Sequence, residues 1–242
     1  MSLETEIAAL TASNNKMAEY FLGKKDAIDK AVSAAVAAAP AISRTFYVDP
    51  KLGDDAGLGS SASPFKTLAA AIAATPAGGR CEAWLQQDYT LAEHLYLQGR
   101  RLSLRAEANS GRKLILNEFV PSSGQGLRMG CFWQSDGSTL DFAQMTISLP
   151  ASSAGDLDTY YCLAFGSGAS SPVLHQMRFY NCVFELRGTF RGRLFGPNAA
   201  LYALAVSGTS IPSALAGSII PGVAAGTDSK TLANIITNVP TL

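Results

Sequence analysis

Two ten-residue stretches of this chain align with each other, Leu140-Asp-Phe-Ala-Gln-Met-Thr-Ile-Ser-Leu149 and Met177-Arg-Phe-Tyr-Asn-Cys-Val-Phe-Glu-Leu186. In both, apolar residues alternate, the alternation breaks at one polar residue (Gln144 or Asn181), and then it resumes. A period of two is the mark of a strand with one buried face. A one-residue break between two such runs gives strand, corner, strand. Asn suits a corner because it tolerates left-handed backbone and bonds locally through its side chain. Units of this form stack, each burying its inward residues against the next. Arg101-Leu-Ser-Leu-Arg-Ala106 reads as a shorter copy. The pattern predicts a mainly β chain built as a parallel β-helix, with a β-sandwich as the alternative.

Further strands are expected at 45–48, 82–85, 94–97, 113–118, 130–134, 160–165 and 201–207, with the matched segments inside 139–149 and 173–186. Between 49 and 61 lies a loop dense in Gly, Asp and Ser. Ser63-Pro64 then opens a short helix over 64–74, because Pro is favoured at the first helical position, and Thr75-Pro-Ala-Gly-Gly79 stops it. That helix is expected to cap the first coil of the β domain, since an uncovered sheet edge invites pairing with other chains.

Ahead of the β pattern, Leu3, Ile7, Leu10, Asn14, Met17, Phe21, Lys24 and Ile28 are spaced alternately four and three apart. This is the seam of a coiled coil, continued by Ala31, Ala35 and Ala38 or shifted onto Val32 and Val36. A polar Asn14 in the seam fixes register or oligomer state. Gly23 marks a place for a break or register shift, and Pro40 is expected to end the helix. The trimerisation residues are therefore Leu3, Ile7, Leu10, Asn14, Met17, Phe21 and Ile28. The organisation reads as a helix over 1–40, a β domain over 41–207, and a Gly/Pro-broken cap or tip over 208–242 with a short helix near 228–236.

Charge is scarce. Only 16% of the 242 residues are charged against 48% hydrophobic, and mean hydropathy is +0.14. A lone chain so composed has trouble covering its surface, which points to burial between subunits. Net charge is zero, so no basic face for nucleic acid is indicated. Local clusters, Arg100 to Lys113 and Arg187 to Arg193, suit solvated strand edges or contact with acidic glycan or phosphate. Cys81, Cys131, Cys162 and Cys182 are far apart in apolar settings with no Cys-x-x-Cys, so buried free thiols are expected, rather than zinc. Neither a secretory leader nor an apolar run of membrane-spanning length is visible.

The stretch Phe46-Tyr-Val-Asp-Pro-Lys-Leu-Gly-Asp-Asp, followed by Gly-Ser-Ser-Ala-Ser-Pro-Phe-Lys-Thr-Leu-Ala-Ala-Ala-Ile72, resembles the opening of right-handed β-helix domains in bacteriophage tail fibres and tailspikes. Leu3-Glu-Thr-Glu-Ile-Ala-Ala-Leu10 with Ala27-Ile-Asp-Lys-Ala-Val32 is similar to a tail-fibre attachment helix. The resemblance covers about the first 75 residues. It implies a right-handed parallel β-helix in a homotrimeric virion component, docked to a tail or baseplate protein by its N-terminus and meeting the host distally. Activity does not follow from the fold, which carries lyases, hydrolases and inert adhesins alike.

Glycan-cleaving relatives work through paired carboxylates. The candidates here are Glu118, Asp136, Asp141, Asp156, Asp158 and Glu185, and none forms a recognisable pair in sequence. Asp49, Asp54 and Asp55 lack the register of a calcium loop, His94 and His175 are isolated, and Gly166-Ser-Gly lacks the lysine of a phosphate loop. No catalytic residue, metal or cofactor is assigned. Adjacent aromatics are the better signal: Phe132-Trp133, Tyr160-Tyr161 and Phe179-Tyr180 each direct one ring inward and one outward. Trp133, Tyr160, Tyr161 and Tyr180 are the candidate glycan-stacking residues, with trimer packing as the alternative. The function expected is a tail fibre binding a host-surface glycan; a depolymerase tailspike and a purely structural baseplate connector are the alternatives.

Overall fold

A computed structural model describes the chain apart from residues 1, 123, 125, 136, 154, 167–173 and 198–200, with the backbone alone over 37–41. It divides into two units, 1–41 and 42–242.

The first unit is α1 (Leu3–Ile42), 40 residues of continuous helix, roughly 60 Å long at 1.5 Å per residue. Glu4 and Glu6 sit in its first turn, where carboxylates favour the helix dipole. The helix passes through Gly23 without a break, and Pro40 lies in its last turn instead of ending it. One glycine costs about 1 kcal/mol, too little to interrupt so long a run. All its described side chains are exposed.

The second unit begins with β1 (Ser43–Val48) and α2 (Leu68–Ala73). α2 starts later than expected. Its N-cap is Thr67, whose hydroxyl accepts from the Ala70 N–H at 3.1 Å. Asp55 fixes that cap by accepting from the Lys66 and Thr67 amides and the Thr67 hydroxyl, each at 2.8 Å. Leu68, Ala71 and Ile72 are buried against the sheets. Asp49 is committed to the same loop, accepting from the Lys51 and Leu52 amides.

Then follow β2 (Arg80–Leu85), β3 (Tyr89–Leu91), β4 (His94–Tyr96), β5 (Arg101–Ala106), β6 (Lys113–Leu116), β7 (Glu118–Phe119), β8 (Arg128–Met129), β9 (Cys131–Gln134), β10 (Thr139–Ala143), β11 (Thr146–Leu149), β12 (Cys162–Gly166), β13 (Leu174–Tyr180), β14 (Val183–Leu186), β15 (Arg193–Phe195), β16 (Leu201–Ser207) and β17 (Ile235–Thr237). Sheet A has the order β1-β2-β5-β10-β13-β16-β17, sheet B β14-β11-β6-β3, and sheet C β15-β12-β9-β4. Every pairing within these three is parallel.

The matched segments are neighbours in space. Leu140 lies opposite Met177 and Phe142 opposite Phe179 in sheet A, and Ile147 lies opposite Phe184 in sheet B. Inward residues therefore form columns: Ala83, Leu104, Phe142 and Phe179 in sheet A, Leu114, Ile147 and Phe184 in sheet B, and Leu95, Phe132, Ala164 and Phe195 in sheet C. Phe142 and Phe179 stack at 5.3 Å. Phe132 meets Phe142 edge-on at 5.7 Å and Phe179 meets Phe184 at 5.0 Å, joining the columns of the three sheets. Rings at these separations add on the order of 1 kcal/mol each beyond their buried area.

The expected fold class is corrected. The chain is not the mainly β, right-handed parallel β-helix that the repeat and the resemblance implied. It is a mixed α/β protein with one long N-terminal helix and parallel sheets of unequal width, seven strands in A and four each in B and C. An antiparallel pair, β7 with β8, interrupts the passage from sheet B to sheet C. After β16 the chain runs through 3-10 turns at Ser213–Leu215 and Ser229–Thr231; between them the Ser218 and Ile219 carbonyls accept from the Leu194 and Phe195 amides of β15, and the last strand, β17, joins sheet A. The expected helix over 228–236 is thus one 3-10 turn capped by Asp228 and then strand β17. The repeat covers two neighbouring passages, and a local repeat does not fix the class of the whole.

Candidate functional site

On sheet C the residues between the inward column positions face away from the core. The register places Tyr96, Trp133 and Phe165 side by side on β4, β9 and β12. Tyr96 stacks on Trp133 with ring centroids 5.0 Å apart and planes 22° from parallel. Phe165 meets the indole edge-on at 5.0 Å. Tyr160, from the loop before β12, leans on Trp133 at 5.0 Å and on Phe165 at 4.4 Å. His94 completes the cluster, 5.5 Å from Trp133, 5.4 Å from Tyr160 and 5.3 Å from Phe119.

The shelf is anchored at one side by charge. The Arg128 guanidinium lies 4.4 Å over the Tyr160 ring, and its Nε donates to Asp158 at 2.8 Å. Asp158 also accepts from the Thr159 hydroxyl and the Tyr160 amide. Burial would raise the Asp158 carboxyl, but the bonds from Arg128 and Thr159 outweigh it and hold it below its ordinary value. Burial, and then Arg128, lower the His94 imidazole, keeping it neutral near pH 7. Among the described residues His94 Nε2 and Trp133 Nε1 are buried without a hydrogen-bond partner, an uncommon condition in folded proteins.

The shelf's Phe165 forms a small second core with Cys131 and Cys162, against which Trp133 and Tyr160 pack. The two sulfurs are 3.8 Å apart. All four cysteines are buried and free. Burial, then the neighbouring Cys162, pushes the Cys131 thiol up, and burial raises Cys81 to about 11.

Of the four expected glycan-stacking residues, Trp133 and Tyr160 come together. Tyr161 does not join them: it is buried in the main core, and its hydroxyl donates to Glu118. Tyr180 lies on β13 in sheet A, on another face of the unit. The paired-aromatic rule holds for Phe132 and Phe179, which point inward and are fully buried. It holds also at Tyr160-Tyr161, with Tyr161 in the main core and Tyr160 on the shelf. Sequence reasoning missed Tyr96, His94, Phe119, Arg128 and Phe165. Aligning His94-Leu-Tyr96 with Cys131-Phe-Trp133 would have found the first two.

Four of the six candidate carboxylates, Glu118, Asp141, Asp158 and Glu185, are held in structural bonds. Asp141 bonds Arg178 at 3.1 Å, and Glu185 bonds Lys113 at 2.8 Å. Glu118 accepts from the Ser153 amide at 2.9 Å and from the Ser153 and Tyr161 hydroxyls. The Asp156 backbone carbonyl accepts from the Leu127 amide, and Asp136 lies outside the described residues, as does 167–173, which includes most of Gly166-Ser-Gly. Among the described residues no group of three or more His, Cys, Asp or Glu could hold a metal ion. No described helix is long and apolar enough to cross a membrane.

No family model matches the chain, and no curated protein matches it. Among solved structures, a GH136 lacto-N-biosidase from Eubacterium ramulus, crystallised as its selenomethionine derivative, is similar at 14% identity and a TM-score of 0.41. The match covers 69% of this chain and 34% of that one, so the chain spans about a third of that protein's length. A likeness at this level carries no argument about fold or activity.

Proposed function

We propose that this chain is a self-associating attachment protein of the tail-fibre kind, assembled as a homotrimer and joined through α1 to a tail or baseplate protein of a virion. Its parallel-sheet unit presents the Tyr96–Trp133 shelf to a glycan on the host surface. The observation that carries the reading is the seam of α1. Leu3, Ile7, Leu10, Met17, Phe21 and Ile28 are each more than half exposed on a continuous helix. Burying one such side chain gains on the order of 1–2 kcal/mol, and a period of 3.5 residues fits best against a copy of itself.

Tyr96, 52% exposed beside the half-buried Trp133, offers an aromatic face of the kind sugars stack on. Attachment is favoured over cleavage because Glu118, Asp141, Asp158 and Glu185 are tied to cations or hydroxyls that shape the fold. A glycan array probed with the full-length protein and with Trp133→Ala tests the reading. Binding that the variant loses, without release of reducing ends, is expected. Release of reducing ends would replace it with the depolymerase reading. A trimer that binds no glycan would replace it with the connector reading.

A further inference from the structure

The outer face of sheet A carries a second, chemically different surface. Outward positions fall in rows across the strands. Arg80, Arg101 and Thr139 lie directly opposite one another, and so do Glu82, Ser103, Asp141, Arg178 and Ala205. Between these rows and β17 runs an open groove of about 840 Å³. Its floor is made of small side chains such as Ser103, Ala203 and Ala205, which leave room where longer residues would fill it.

The charges on this face do not balance. Asp141 holds Arg178 at 3.1 Å, while Glu82 faces both Arg80, at 3.8 Å, and Arg105, at 3.7 Å. Arg101 has no carboxylate partner among the described residues. Among the described residues four guanidiniums thus share two carboxylates, on a chain whose net charge is zero. Burial raises the Asp141 carboxyl while Arg178, Arg80 and Arg105 oppose the rise, and Arg80, Arg101 and Arg178 line the groove. Arg80 and Arg101 are exposed, adjacent, and the least engaged of the four. Away from them the lining turns neutral and hydrogen-bonding, through Gln176 and Thr237, while the Asn238 amide is held by the Val206 backbone. Five strand spacings separate β2 from β17, roughly 24 Å at 4.8 Å each.

We propose that this groove binds an acidic oligosaccharide. Arg80 and Arg101 receive a sugar carboxylate or sulfate through paired N–H donors, a geometry that guanidinium suits better than ammonium. The neutral side chains toward β17 receive the hydroxyls of the following sugars. A free inorganic anion would fill only the arginine end, so length and charge are both read. The groove is on a different sheet from the Trp133 shelf and does not depend on it.

Calorimetric titration of the full-length protein tests this, with oligogalacturonate, oligosialate and heparin-derived tetrasaccharides as acidic probes. Maltotetraose and inorganic phosphate serve as the neutral and the minimal-anion controls. At least one acidic probe is expected to bind with Kd below about 1 mM, and phosphate roughly tenfold or more weaker. Arg101→Ser is expected to weaken the acidic probe about tenfold, Arg101→Lys less, and Arg80→Ser with Arg101→Ser to abolish binding. Unchanged melting curves confirm that these exposed-site variants fold. Trp133→Ala is expected to leave this binding unchanged. The inference is overturned if no acidic probe binds, if the arginine variants bind as the wild type does, or if phosphate binds as tightly as the best oligosaccharide. The native mass of the variants, measured alongside, keeps the self-association reading separate: an intact oligomer that ignores acidic sugars overturns the groove alone.

Discussion

Gln144 and Asn181 occupy the same corner of neighbouring passages from sheet A to sheet B, and both hold left-handed backbone, with φ of 59° and 49°. The Gln144 amide donates to the Tyr180 carbonyl and the Asn181 amide to the Ser207 carbonyl, each at 2.9 Å. The corner thus carries the ladder from one passage to the next. A β-branched residue cannot hold this conformation without strain. Asn181→Val is expected to destabilise the sheet unit by about 1–3 kcal/mol, and Asn181→Gly by less. Denaturant melts of the two variants check this, and equal losses would mean that the backbone conformation is not the cause.

His175 gives the unit a pH dependence. It is fully buried between Phe195 and Tyr202, without a hydrogen-bond partner among the described residues on either nitrogen, and burial lowers its pKa to about 4. Above about pH 6.5 folded and unfolded chains both hold it neutral. Between about 6.5 and 4 the unfolded chain binds a proton that the folded one refuses, so stability falls with pH, by on the order of 3 kcal/mol at most. His94 shifts in the same direction. Thermal melts from pH 7 to 4 should show the decline, and it should shrink in His175→Leu. An identical slope in that variant would remove His175 as its source.

The thiols should be silent in the folded protein. All four are buried, and burial raises Cys81, Cys131 and Cys182, which suppresses the reactive thiolate. A colourimetric disulfide reagent is expected to titrate them only after denaturation. Rapid native labelling would mean that sheet C opens at the Cys131–Cys162 contact.

Much of the local structure was legible in the sequence. The α1 heptads, strand β5 and the corners at Gln144 and Asn181 were read because each rests on a period or a single permissive residue. Strands β3, β15 and β17 were not: three residues show little alternation, and of the strands that short only β4 is expected from the sequence. The fold class was misjudged for a related reason: the repeat specifies how two passages pair, while the insertion at β7–β8 and the route to β17 carry no repeat. At the site, Trp133 was legible because it is the aromatic neighbour of the inward Phe132 on one strand. Tyr161 drops out of the candidate set because it is the inward member of its pair, its hydroxyl donating to Glu118. Tyr96 was passed over because its neighbour on the next strand is 37 positions away.

Within α1, Leu10 is the seam position where a charge should do most harm, since it lies between Ile7 and Asn14 and is 63% exposed in the single chain. Leu10→Asp should shift the protein toward monomer without lowering the melting temperature of the sheet unit. An unchanged oligomer would take the seam out of assembly.

The claim on which the rest stands is that α1 binds copies of itself. Sedimentation equilibrium of the full-length protein measures this directly. The predicted result is a species of three times the 25.3 kDa chain mass that reverts toward the single-chain mass when residues 1–40 are removed. A species of 25.3 kDa across the accessible concentration range would contradict it.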